Sequence, residues 1–355
     1  MSNQAGFHLH SNLHPLREHT SRSMKTQTST SMNEKNERIP LSTPMRRTNT
    51  IQELELAQAE TALISISALS SAFDDDLPEQ LENDKDKKLE AELAHRAEKR
   101  RMTFSQEIWN AVTMIPTPAI GIYFVLAGKW LTEADILRAN EDFVSGPLPD
   151  SSGLFSAFTD DNGCISSTYF PNMHAPPPIT TIAVVMGYLL HSPCSVYYHL
   201  LCAFVLPQGV KRMDHWSRRL DQAMIHVMGL FCAYGMSGST NFGLAVMAFS
   251  LDSMYRLLYG IPRPKRILVR MIVAFLIPLL PVAVYGQYWE VMQFFVIFGC
   301  AGWLFSTYPF GGWSHGTFHL VAAISNPIQL ALSTKLLASE GAIQVAARCA
   351  VLAKG

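Results

Sequence analysis

The chain has 355 residues with nearly balanced charge (28 Lys and Arg against 29 Asp and Glu, net −1), 48% hydrophobic residues and only 16% charged ones. These averages hide a division, because residues 1 to about 105 are rich in Ser, Thr, Asn, Gln, Lys, Arg and Glu, while long apolar runs dominate the remainder. No apolar stretch follows Met1, so a cleaved secretory signal is not expected; nor is a disulfide framework among the six cysteines, nor a nucleic-acid partner.

In chain order, residues 1–50 are polar and poor in large apolar side chains, which predicts disorder. Within them, Arg46-Arg47-Thr48 fits a basophilic phosphorylation pattern. Residues 51–72 and 82–100 have helix-forming composition. The second stretch is highly charged, as a solvated juxtamembrane helix would be, and its basic end also suits anionic lipids.

A spanning helix needs about 20 mainly apolar residues. Seven stretches qualify: 106–131, 178–206, 219–236, 240–259, 267–286, 288–306 and 314–336. The fifth contains Pro278 and Pro281, which neighbouring helices can accommodate. The third carries Asp221 and His226, as a helix lining a polar cavity would. The expected fold is therefore all-α. A largely disordered N-terminal region with a juxtamembrane helix (1–105) precedes a seven-transmembrane bundle (106–338) and a short tail (339–355).

Loop charge sets the expected orientation. Arg96, Lys99, Arg100 and Arg101 precede the first span; Lys211, Arg212, Arg218 and Arg219 follow the second; Arg263, Lys265 and Arg266 follow the fourth. The 132–177 loop carries seven acidic residues by contrast, from Glu133 to Asp161, and a single base, Arg138. The N-terminus is accordingly expected in the cytoplasm, with this loop and the C-terminus outside or in a lumen. Cys164 and Cys349 then share the outer side, where a bridge is feasible, while Cys194, Cys202, Cys232 and Cys300 read as small apolar packing residues.

Ionisable groups at membrane depth are unfavourable and therefore functional candidates. WSHGTFHL places His315 and His319 one helical turn apart on a single face, and SVYYH does the same for Ser195 and His199. Asp221 opens the third span. With alternate spans running in opposite directions, all five groups come to a similar depth near the cytoplasmic boundary. Three neutral imidazoles with one open position form a catalytic type of zinc site, although imidazole also suits other first-row ions. Asp221 is placed to serve as general base and then acid, and Ser195 to orient a water or stabilise an oxyanion. His226 and His191 lie at other depths, and His215 falls in a basic connector; these three read as non-ligands.

On these residues the chain resembles the CREST superfamily of seven-helix membrane proteins, which includes alkaline ceramidases, progestin and adipoQ receptors, and proteins remodelling glycosylphosphatidylinositol-anchor lipids. Its pattern is a serine four residues before a histidine in the second helix, an aspartate in the third and H-x-x-x-H in the seventh. Ser195 with His199, Asp221, and His315 with His319 match it in order, and the resemblance spans about 106–338. RRLDQAMIHVMG looks most like the receptor branch, while the longer 132–177 loop and His199-to-Asp221 connector do not, so the branch stays open. The resemblance implies Zn2+ held by His199, His315 and His319, and a lipid hydrolase chemistry in which Ser195 and Asp221 contact the activated water. The expectation is a zinc-dependent hydrolase of a lipid amide or ester drawn from the bilayer. The alternatives are a receptor in which zinc is structural, and a channel or transporter supported by Asp252 and Arg256 alone.

Overall fold

In the computed structural model, residues 101–128, 130–131, 164, 175–209, 212, 215–260 and 264–352 are described, with isolated positions between 56 and 98. The expectations for residues 1–50 and for the acidic residues of the 132–177 loop lie outside these described residues. Isolated described positions within 51–72 and 82–100, such as Thr61 and His95, are helical.

Every regular element among the described residues is a helix. Helix α1 (Phe104–Thr113) starts from a capping box in which the Thr103 hydroxyl accepts from Gln106 N and Gln106 Oε1 accepts from Thr103 N. Helix α2 (Pro116–Leu126) follows after a break. Pro116 and Pro118 have no N–H to give to the carbonyls of Val112 and Met114, and the chain tightens there through Ile115 N→Val112 O. Helix α3 (Ile179–Phe204) runs unbroken through Pro193. Helix α4 (Trp216–Ser237) is capped by the His215 ring, which accepts from Ser217 N. Helix α5 (Thr240–Tyr259) is capped by Ser239.

Proline sets the remaining breaks. Helices α6 (Pro264–Leu276) and α7 (Leu279–Val284) are separated at Ile277-Pro278. Helix α8 (Tyr288–Thr307) is continuous. Helices α9 (Trp313–Ala323) and α10 (Ser325–Thr334) part at Ile324, where Pro327 cannot donate to the Ala323 carbonyl. The first, fifth and seventh expected spans are thus each two helices rather than one. Three stretches are long and apolar enough to cross a membrane: Phe104–Leu126, Ile179–Phe204 and Tyr288–Thr307. The stretch expected as a short tail, 339–355, carries helix α11 (Glu340–Leu352), entered through a tight turn at Leu337–Ser339.

Helix α4 is the hub. Its Ala233 packs with Phe242, Val246, Phe249 and Ala274 from α5 and α6. Its Cys232 meets Val184, Tyr188 and Leu330, and its Met236 meets Leu279, Phe294 and Leu332. The α3–α4 contact is close because a Cβ on Gly235 would strike Val184 and the Thr180 carbonyl. Outward-facing positions stay apolar, including Leu251 on α5, Val269 on α6 and Val296 on α8, each more than half exposed. Such a surface suits a lipid surround rather than water. A disulfide joins Cys164 to Cys349, with Trp130, Ala175 and Val345 packed around it.

Candidate metal centre

The helical period puts His191, Ser195 and His199 on one stripe of α3, and all three are buried. Helix α9 supplies His315 and His319 from a single face. It can lie against α1 because a side chain at Gly316 would run into the Trp109 indole and the Asn110 amide. The result is a cluster in which one ligand nitrogen each from His199, His315 and His319 lie within 4.8 Å of one another. The ring centroids stand 4.7 Å apart for His315–His319, 5.1 Å for His199–His315 and 5.8 Å for His199–His319.

The residues fit a metal ion. Nε2 of His199 and Nε2 of His319 are buried and have no hydrogen-bond partner, an unfavourable state for a polar atom unless something binds it. A tetrahedral ion with bonds of about 2.0–2.1 Å holds its nitrogens about 3.3 Å apart, so small side-chain rotations would close the cluster around one. Neutral imidazoles are suitable donors for zinc and for neighbouring first-row ions.

Helix α4 starts at Trp216, three residues earlier than expected, so Asp221 lies in its second turn rather than its first. Its Oδ1 is 3.6 Å from His191 Nε2 and makes no hydrogen bond, and the Ser195 hydroxyl also lies beside the carboxylate. The structure therefore brings all five expected residues onto the wall of one cavity of about 490 Å³. Its lining also includes apolar side chains, with Met271, Ile272 and Phe275 from α6 and Phe295 and Phe298 from α8.

Three residues at the site were missed. His191, expected as a non-ligand, is indeed outside the three-histidine group, but it lines the cavity and faces Asp221. The i, i+4, i+8 spacing with Ser195 and His199 was the available signal. Glu107 of α1 is 4% exposed, and its Oε2 is 2.9 Å from His199 Nδ1. Arg212, from the α3–α4 connector, donates from Nη1 to Glu107 Oε1 at 2.8 Å. Glu107 is the one acid in the first expected span, a flag of the same kind that marked Asp221. His226 stays outside the cluster. It is fully buried, its ring is edge-on to Phe249, and its backbone carbonyl accepts from Ser250. His215 is the cap of α4.

Comparison with protein-family models, with curated proteins and with solved structures finds no match to this chain. The three-histidine group that could hold a metal ion therefore stands on its own geometry.

Proposed function

We propose that the chain is an intramembrane zinc-dependent hydrolase that cleaves a lipid amide or ester, as its resemblance to the CREST superfamily implies. One observation carries the reading: a three-histidine cluster with no fourth protein ligand among the described residues opens onto a cavity that also holds Ser195 and Asp221 and has a large apolar share of its lining. A structural zinc site is normally closed by four protein ligands, whereas a catalytic one keeps a position open. His199, His315 and His319 would hold the ion, which when bound activates a water and polarises a carbonyl.

The chain's own groups account for the remaining chemistry. The Asp221 carboxylate takes a proton from the attacking water and returns it to the leaving amine or alkoxide. The Ser195 hydroxyl donates to the scissile carbonyl oxygen as charge develops there. Acyl chains fit against the phenylalanines of α8 and the aliphatic side chains of α6. Ile272 and Phe295 from these helices are also exposed on the outer face, at 47% and 51%, which suits sideways entry from the bilayer.

In the same reading α1–α2, α3, α4, α5, α6–α7, α8 and α9–α10 are seven crossings with the N-terminal side cytoplasmic. The bridge at Cys164–Cys349 suits an oxidising outer or lumenal face, opposite the basic connectors. Metal analysis of purified protein, paired with lipid profiles of cells carrying wild type or Asp221→Asn, tests the proposal. Bound zinc in both, with one lipid class accumulating in the variant, is expected. Wild type without bound metal overturns the reading. Zinc in both with identical lipid profiles favours a metal that only staples helices together, as in a receptor.

A further inference from the structure

We infer that Glu107 and Arg212 are positioning residues of the metal centre: clamped by Arg212, Glu107 fixes the tautomer and ring angle of His199 and thereby sets how tightly the centre holds a divalent cation. This rests on the metal reading given above and adds two residues from outside its ligand and acid–base set.

A neutral imidazole carries one N–H and one lone pair, and an ionised carboxylate can only accept. At 2.9 Å, Glu107 Oε2 therefore calls for the proton of His199 on Nδ1. The lone pair is then on Nε2, the buried nitrogen left without a partner. Without Glu107 the ring is free to carry its proton on the wrong nitrogen or to rotate. A carboxylate partner also raises the basicity of a ligating imidazole, and loss of such partners weakens metal binding about 10–100-fold.

Arg212 explains how a carboxylate can be held in this place. Glu107 and His199 side chains are only 5% and 2% exposed, so an unpaired charge there would be strongly destabilising. Arg212 offsets it with a charge-assisted bond at 2.8 Å, while its Nη2 donates to the carbonyls of Cys202 and Leu206 at 2.6 and 2.7 Å. One planar guanidinium thus ties α1 to the end of the helix that carries His199. Lysine, with a single ammonium and no rigid fork, could not hold both groups in fixed directions.

The test is a Zn2+ competition titration against a chromophoric chelator on the full-length protein in detergent, with the visible spectrum of the Co2+-substituted form as second readout. Glu107→Ala should lower Zn2+ affinity about 10–100-fold and shift the Co2+ bands. Glu107→Gln keeps size and an acceptor oxygen and so remains folded; it should fall between Glu107→Ala and wild type. Arg212→Gln should weaken binding in the same direction through a Glu107 no longer held in place. Circular dichroism of the metal-free variants establishes that they are folded. Folded Glu107 variants that bind Zn2+ within about twofold of wild type, with an unchanged Co2+ spectrum, overturn the inference even if they melt earlier, because the pair would then serve stability alone. Wild type that binds neither ion sinks the metal reading itself, a result distinct from the first.

Discussion

At the start of α3, Thr180 and Thr181 are buried and their hydroxyls are satisfied; toward its far end His199 is equally buried and Nε2 of its ring has no partner. Thr180 Oγ1 bonds the Ser333 carbonyl at 2.8 Å and Ser339 Oγ at 2.7 Å, Thr181 meets the Ser333 hydroxyl at 2.9 Å, and Ser333 in turn bonds the Leu330 carbonyl. This is a closed set of the kind that fastens apolar helices together. At the histidine end, His199 and His319 each keep a buried nitrogen unmet, and so does Asp221 Oδ1. The polar groups at the first end of α3 complete one another, whereas those at the histidine end keep unmet bonding capacity.

That contrast is broken first by metal analysis. His199→Ala should lose its ion almost completely, and full occupancy in that variant removes His199 from the ligand set. Next in size, Asp221→Asn should keep the ion while lipid turnover falls about 10²–10⁴-fold, the usual range for a lost acid–base group, as read by product mass spectrometry. His191→Ala should reduce turnover less, since its 3.6 Å approach to Asp221 acts through that carboxylate. At the other end, Cys349→Ser should lower stability by about 2–4 kcal/mol in a thermal melt and leave Zn2+ affinity unchanged. Thr180→Val should cost about 1 kcal/mol by the same melt, also without effect on metal. The smallest effect has the opposite sign. His319→Leu should stabilise the metal-free protein by about 1 kcal/mol in a thermal melt, because it removes an unmet buried nitrogen. If that variant melts below wild type, the two ends are not different in kind.

Much of the site was legible because its spacing is local. His315 and His319, like Ser195 and His199, share a face through the helical period alone, and the structure brings α3 and α9 together at these residues. Residues 178–206 and 288–306 proved close to Ile179–Phe204 and Tyr288–Thr307, since long apolar runs there leave few other structures. Glu107 is marked in the sequence only as a lone acid near the start of a span; nothing local ties it to the site, because its partner His199 is 92 positions away. Arg212 counted only as a loop charge. The breaks at Ile277-Pro278 and Ile324 were hidden because proline interrupts a helix or is tolerated according to what its neighbours supply, as Pro193 inside α3 illustrates. Helix α11 is too short to register as a span, and what it packs on comes from residues far away, Trp130, Cys164 and Ala175.

His315 and His319 straddle Gly316, and the bare Cα there is what allows α9 to lie flush on Trp109. A residue with no side chain to offer thus acts as the shim between two helices, and its thickness is a hydrogen. One added methyl would carry both imidazoles outward together, so the tolerance to which the cluster is assembled is set by the smallest side chain in it.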